Sequence, residues 1–504
     1  MKTLKILALS LILAAFSLQS CSRELDIEQE GSPNLQNFWK TEYDLMTGSN
    51  AMYRQLMSGE FYGRGLFWFI NASDDMVTGR TRAEADNAKN FNSSYLGGTL
   101  ENQWFVRYWT IARANEVLHY ADQTTASETV KNKYKGEALF MSSRMYFELA
   151  SNYGNEKAGA PILPRDGSIA KEPIPRATNV NVNYDMIIED LKKAGEMLPW
   201  LNELSASEKG RPHKVAAWAL LSKVYLFKKD YANAEIWATK VMKEGNRQLM
   251  ADFRDVFKAE NNFGSEYIWS ANTTPEFTGW GSILAGVMLE NRGWGEYNGW
   301  GYFTPTKELY DSYEEGDKRR EATILKPGDK FIFNNKERVY STVNSPTEMQ
   351  FNKYMDAFKV DIKNNPSIVS QNGDFPATNL NIPLMRYAEV ILIAAEAKLM
   401  QGKNADTEIN MIRVRAGLSP KSGNTMTDLK RERRNELAGE WSDRHRDLVR
   451  WGDAQAVYAK PLHGWSGNQV WEARNFNPAI HNVWAVPRRE VLNSNGIITQ
   501  NEGW

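Results

Sequence analysis

From Gly210 to Met242 the chain reads GRPHKVAAWALLSKVYLFKKDYANAEIWATKVM, and no other stretch narrows the possible fold as far. Trp218, Leu221 and Tyr225 stand in the W-x2-L-x3-Y spacing of a tetratricopeptide-type helix, and Ala234 and Ala238 occupy the small-residue positions of its partner. Small residues there let two helices approach closely. A pair built this way keeps an outer apolar face that only neighbouring pairs can cover. A weaker match runs from Leu392 through Glu396 to Ala405 and Ile409. The expected fold is therefore all-α, with tetratricopeptide-like helix pairs forming a scaffold.

Between the two matches lies a loop-rich insertion at about residues 250–380, expected to be draped over that scaffold as the ligand-binding part. It contains FGSEYIWSANTTPEFTGWGSILAGVMLENRGWGEYNGWGYF, Phe263 to Phe303, whose aromatic residues follow neither helical nor strand periodicity. Aromatic rings on glycine-rich loops either pack a local core or present a flat amphipathic surface to a ligand. A sugar suits such a surface, because its C–H face lies on the ring while its hydroxyls need polar side chains nearby. Trp280, Trp294 and Tyr297 are the candidate stacking residues. Asp74, Arg80 and Tyr95, from an earlier loop, are candidates for polar contacts.

Charge excludes some classes. Lys plus Arg is 61 against 62 acids, a formal net charge of −1, so no global field draws nucleic acid to the chain. Seventeen Trp, 21 Tyr, five His and a single Cys favour stacking recognition over zinc chemistry, and no metal or cofactor is expected. Asp74–Asp75 and Glu314–Glu315 are poor catalytic pairs. Adjacent side chains diverge, whereas glycosidase carboxylates face each other across about 5 to 9.5 Å. No catalytic residue is assigned.

At the N-terminus, Lys2 and Lys5 precede the apolar run Ile6 to Phe16, which is too short to span a bilayer and fits a secretory signal. Leu18-Gln19-Ser20-Cys21 follows and resembles a bacterial lipobox, which implies cleavage before Cys21 and lipid attachment at its sulfur. Residues 1–20 are then a lipoprotein signal peptide, 21–33 an acidic lipidated tether, and 34–504 one domain. Helical spacing recurs from Asn34 to Met57, Trp104 to Tyr120, Val130 to Tyr153 and Tyr184 to Leu198. The proline-rich Gly159 to Ala177 is expected to be extended. Leu429 to Asp453 is expected to be one charged helical run with solvent-facing ion pairs, and Asn482 to Trp504 a closing strand or loop.

Along nearly the whole mature chain these residues resemble the SusD/RagB group of Bacteroidetes outer-membrane nutrient-binding lipoproteins. The matching stretches are Arg176 to Pro199, Gly210 to Met242, Arg386 to Gly402, Arg433 to Asp453 and His481 to Trp504. The resemblance implies a partner, a SusC-like TonB-dependent outer-membrane barrel, to which captured oligosaccharide passes. It also implies location on the outer membrane, lipid-anchored and facing the cell exterior; the acids after Cys21 resemble surface-export signals. Gly299 to Arg320 also resembles a shared segment of the family, which implies that Trp300, Tyr302 and Phe303 belong to the scaffold; the resemblance names no binding residue, because members share the scaffold and vary the loops. Peptide capture within the same family, a secreted helical glycoside hydrolase and a protein-binding scaffold are the rival readings.

Overall fold

The computed structural model describes residues 38–57, 69–92, 98–167, 172–273, 286, 288, 299–333, 335–342, 344–358, 379–441 and 444–504. The signal peptide, the tether and Cys21 lie outside them. The longer helices are α1 (Glu42–Ala51), α2 (Thr99–Tyr120), α3 (Glu128–Tyr153), α4 (Val180–Met197), α5 (Lys214–Phe227), α6 (Tyr231–Glu244), α7 (Tyr387–Met400), α8 (Asp406–Arg415), α9 (Met426–Leu437) and α10 (Arg444–Trp451). Each of α2 to α7 packs on the next, so the scaffold is a single file of helices.

The repeat residues do what their spacing implies. Ala234 and Ala238 are fully buried on α6, and Trp218 of α5 lies against Gly195 of α4. A Cβ on Gly195 would come within 2.8 Å of the Trp218 Nε1, so the indole seats only because α4 has no side chain there. A Cβ on Gly136 of α3 would meet the Met197 Cβ at 2.9 Å, and the α3–α4 contact is close for the same reason. These helices are buried on several sides: Val215 to Leu226 is buried without a break.

The insertion leaves after α6 and returns at α7, yet α6 and α7 are neighbours. Its ends are clasped by β2 (Tyr267–Ala271), which pairs antiparallel with β8 (Ile382–Arg386), the strand that feeds directly into α7. Within it are β3 (Phe303–Pro305), the pair β4 (Ile324–Leu325) and β7 (Gln350–Phe351), and the hairpin of β5 (Lys330–Phe333) and β6 (Lys336–Val339). The insertion is thus less irregular than expected. All five residues of β2 are buried, and a strand buried on both faces has no alternation to detect.

Two expectations are corrected. Leu429 to Asp453 is not one helical run: α9 ends at Leu437, Gly439 takes φ +71°, and α10 starts at Arg444. Nor do most of its charges face solvent, although the Lys430–Asp453 pair is partly exposed. Glu432, Glu436, Glu440 and Arg433 are all at most 3% exposed. Asn482 to Trp504 holds a short helix, Arg488–Asn493, instead of a strand, and the Trp504 Nε1 closes the chain by donating to the Ile480 and Val483 carbonyls. The proline-rich connection is extended where described, with a bridge between Pro161 and Arg176.

Many of the buried charges form one network. Arg386, at the β8–α7 junction, donates to Glu440 at 2.5 and 2.7 Å, to Glu436 at 3.1 Å and to Glu266. Arg415 of α8 bridges Glu266 and Glu436 again. Arg319 pairs with Asp317 and Glu432 at 2.7 Å and with Glu436 at 3.3 Å. Arg413 joins Glu432 to Glu314. Strand β2, the start of the short helix Lys318–Thr323, the start of α7, α8 and α9 are thereby fastened at one point.

Isolated buried ions are costly, and truncating one member of such a network leaves the others uncompensated. Glu436→Gln is therefore expected to lower stability by about 3–5 kcal/mol, read as a shift in urea midpoint. Glu502→Gln, which breaks the exposed pair with Lys157, should leave that midpoint unchanged. Filling the tight α5–α6 contact by Ala238→Leu should cost about 1–3 kcal/mol.

Acid sensitivity follows from Glu436 of this network and from two further buried acids, Asp447 paired with Arg433 and Arg450, and Glu148 paired with Arg107 and Arg144. Burial opposes it, but arginines hold the carboxyls of Glu436, Asp447 and Glu148 below their ordinary values of 4.5, 3.8 and 4.5. A folded-state value lowered in this way gives stability present above the unfolded value and lost as pH falls through the folded one. Burial also holds the His213 and His445 imidazoles below their ordinary 6.5, so the melting temperature should begin to fall below about pH 6.5 and drop more steeply below about 4.5.

Candidate ligand-binding surface

Strand β1 (Met76–Thr78) pairs antiparallel with β3, setting Met76 opposite Pro305 and Thr78 opposite Phe303. This short ladder brings the early loop against the end of the aromatic stretch. It continues past the strands: the Gly79 N–H donates to the Tyr302 carbonyl at 2.8 Å, and a Cβ on Gly79 would meet the Gly301 carbonyl oxygen at 2.4 Å. Only glycine permits that approach.

Beyond it Arg80 and Arg82 reach Tyr302 together. Their guanidiniums lie 5.5 and 5.2 Å from the Tyr302 ring centre, Arg82 donates to the Tyr302 hydroxyl at 2.6 Å, and Arg80 donates to the Trp300 carbonyl at 3.3 Å. Trp300 meets Tyr302 edge to face, with centroids 6.0 Å apart. Tyr302 and Phe303 are buried, Trp300 is half-buried, and both arginines are exposed. The result is an aromatic edge flanked by two guanidiniums at the surface. The Trp300 N–H donates to the Gly286 carbonyl at 2.9 Å, which ties this edge to Gly286.

Asp74 has a different place from the one expected. It is 5% exposed, its Oδ1 accepts from Arg444 at 3.0 Å, and its Oδ2 lies 2.9 Å from Arg434. Despite burial, those two arginines hold the Asp74 carboxyl well below the usual range. Asp75 accepts from Arg434 at 2.7 Å, and burial pushes its carboxyl up. Asp74 anchors the loop from beneath instead of meeting a sugar; nothing in the local sequence marked Arg434 and Arg444, some 360 residues on, as its partners.

The loop is held by cations as well. The Lys89 ammonium donates to the carbonyls of Asn71, Ser73 and Met76 at 2.7 to 2.9 Å, and Arg474 donates to those of Ala72 and Lys89. Burial pulls Lys89 below its ordinary value. The backbone of residues 71–76 is thus wrapped around two buried cations, which fixes where Arg80 and Arg82 emerge.

Of the candidate contact residues, Arg80 stands on this surface, while Tyr95, Trp280, Trp294 and Tyr297 lie outside the described residues. Arg82 was missed, although Arg80-Thr81-Arg82 after a strand carried a signal, since alternate residues of an extended chain share a side. Trp300 and Tyr302 do pack as scaffold, yet the half-buried Trp300 also borders the surface. With Asp74 and Asp75 both bound to arginines, the arrangement offers stacking and hydrogen-bond donors, not a free acid–base pair.

Comparison with known proteins agrees with this fold. A family model described as "SusD family" matches residues 236–504, and a second, "Starch-binding associating with outer membrane", matches residues 46–226. The chain is 26% identical to the SusD-like protein P2 of Formosa agariphila, over 100% of both chains. It is 26% identical to the starch-binding protein SusD of Bacteroides thetaiotaomicron, over 82% of this chain and 80% of that one. Among solved structures it resembles a SusD-like carbohydrate binding protein from Bacteroides fragilis, with TM-score 0.78 and 21% identity over 92% of this chain and 99% of that one. Since the first match spans more than half of its 504 residues, the chain belongs to the SusD family.

Proposed function

We propose that this protein is a cell-surface lipoprotein that captures oligosaccharides and delivers them to a SusC-like TonB-dependent barrel in the outer membrane. The observation that carries the binding half is the pair Arg80 and Arg82 gathered about Tyr302 beside the half-buried Trp300. An aromatic edge supplies stacking for the apolar face of a sugar, and two guanidiniums supply donors for its ring and hydroxyl oxygens. Trp280, Trp294 and Tyr297, close by in the sequence, extend the stacking surface in this reading, and Tyr95 adds a polar contact.

Several similarities support it. One of the two matching family models is described as starch-binding and outer-membrane-associated, and a relative 26% identical is a starch-binding protein. The lipobox-like Leu18-Gln19-Ser20-Cys21 supports the anchor, and the SusC-like partner is what resemblance to this family implies. The protein binds and hands over its ligand without changing it.

Affinity electrophoresis on a panel of polysaccharides tests the binding half. At least one glycan should retard the protein, and Arg80→Ala combined with Trp300→Ala should weaken that retardation about tenfold or more, the scale of losing a stacking and a charge-assisted contact. Retardation by no glycan, together with saturable binding of peptides, would favour the peptide-capturing reading. Release of shorter sugars with time would make the protein a hydrolase. Cys21→Ser should move the protein from the membrane fraction to the soluble fraction; unchanged membrane association would remove the lipid anchor.

A further inference from the structure

Arg80 and Arg82 hold most of their hydrogen-bonding capacity in reserve. A guanidinium carries five N–H donors. Arg80 spends one on the Trp300 carbonyl and Arg82 one on the Tyr302 hydroxyl, and neither guanidinium has an ion pair among the described residues. We infer that this surface is built for an anionic oligosaccharide, one that carries a uronate carboxylate or a sulfate ester, an inference that rests on the glycan-binding reading above.

The two charges stand unbalanced. Both guanidiniums lie within 5.5 Å of the Tyr302 ring centre, so two positive groups converge on one ring without a paired carboxylate. Other arginines that gather in this fold are matched by acids: Arg319, Arg386 and Arg415 share Glu436, and Arg434 and Arg444 share Asp74. The acids close to Arg80 and Arg82 in sequence are engaged elsewhere. Asp74 and Asp75 are bound to Arg434 and Arg444, and Glu84 lies against Gly98. The Asp86 carboxyl accepts from the Thr78 hydroxyl and the Arg82 backbone N–H, and burial pushes it up. Exposed charges of one sign, gathered without a counter-charge, concentrate ligands of the other sign.

The ligand chemistry follows from the fork of the guanidinium. A carboxylate, or two oxygens of a sulfate, can take parallel N–H···O bonds from it, and such charge-assisted bonds are roughly twice as strong as those to a neutral hydroxyl. Both groups project from the edge of a pyranose, which leaves the C–H face of the ring free for the half-buried Trp300. The attraction is local, because the chain as a whole has a formal net charge of −1. Starch, the polymer in the name of one relative, carries no such group, so the inference separates this chain from that relative.

Affinity electrophoresis of the full-length protein in gels holding starch, laminarin, polygalacturonate or ι-carrageenan tests this, with calorimetry of maltohexaose, hexagalacturonate and an ι-carrageenan hexasaccharide. Polygalacturonate or ι-carrageenan should retard the protein most, and which of them does so tells carboxylate from sulfate. The matching hexasaccharide should bind about tenfold or more tighter than maltohexaose, and should weaken several-fold between about 50 and about 500 mM NaCl. Arg80→Gln and Arg82→Gln should each weaken it about tenfold, while Arg488→Gln, at an exposed arginine outside this surface, should stay within about twofold. If Arg82→Gln perturbs the fold by circular dichroism, Arg80→Gln alone decides. Starch or laminarin retarding the protein as strongly as the polyanions, with affinities indifferent to salt and to Arg80→Gln, overturns the anionic class and keeps the proposed function. Equal weakening by Arg488→Gln would make the attraction a general one for polyanions and also overturns it. Retardation in none of the four gels counts against both.

Discussion

Arg386 and Glu436 hold this architecture to one arrangement. Arg386 sits where β8 becomes α7, and Glu436 lies in the last turn of α9; between them and around them stand Arg319, Arg415, Glu266 and Glu440, all almost without exposure. Hydrophobic faces alone would let the insertion slide over the helices, because apolar contact is non-directional. A buried guanidinium meets its carboxylates in one geometry only, and any other leaves charges unpaired in a medium of low polarity. The network therefore selects where the insertion docks, whether or not it adds net stability.

That docking has a functional consequence. The β2–β8 clasp and the network fix the two ends of the insertion, while the β1–β3 ladder fixes the segment that carries Trp300 and Tyr302. Under that ladder a second set of buried charges repeats the device: Asp74 and Asp75 face Arg434 and Arg444, and Lys89 and Arg474 gather the loop carbonyls. Arg434 lies on α9, the helix that also carries Glu432 and Glu436. One helix thus fastens the insertion by its acids and the ligand loop by a base, so Arg80 and Arg82 stand on a pre-organised surface. Pre-organisation of this kind reduces what binding must spend on ordering loops.

The helical scaffold was legible because its signals are local. Trp218, Leu221, Tyr225, Ala234 and Ala238 lie within one helix pair, and their periodicity needs no knowledge of anything distant. The charged run from Leu429 to Asp453 was misread for the opposite reason. Alternating acids and bases look alike whether they pair with each other in water or with Arg319 and Arg386 in a core, and the partners lie 50 or more residues away. Asp74 was mistaken in the same way: an Asp in a polar loop carries no mark of the arginines that will bury it. Strand β2 escaped because burial on both faces erases alternation. Of the proposed site, Arg80 was named from the sequence, while the stacking residues named, Trp280, Trp294 and Tyr297, lie outside the described residues.

The claim that everything else serves is that the Arg80–Arg82 pair and Trp300 form the sugar-binding surface. A crystal structure of the protein with an oligosaccharide taken from a polysaccharide that retards it is the most direct measurement. The expected result is a sugar ring within about 4 Å of the Trp300 indole, the range of apolar contact, with a ring or hydroxyl oxygen at hydrogen-bond distance from Arg80 or Arg82. A ligand well ordered elsewhere, with these three side chains unchanged and solvent-facing, would contradict it.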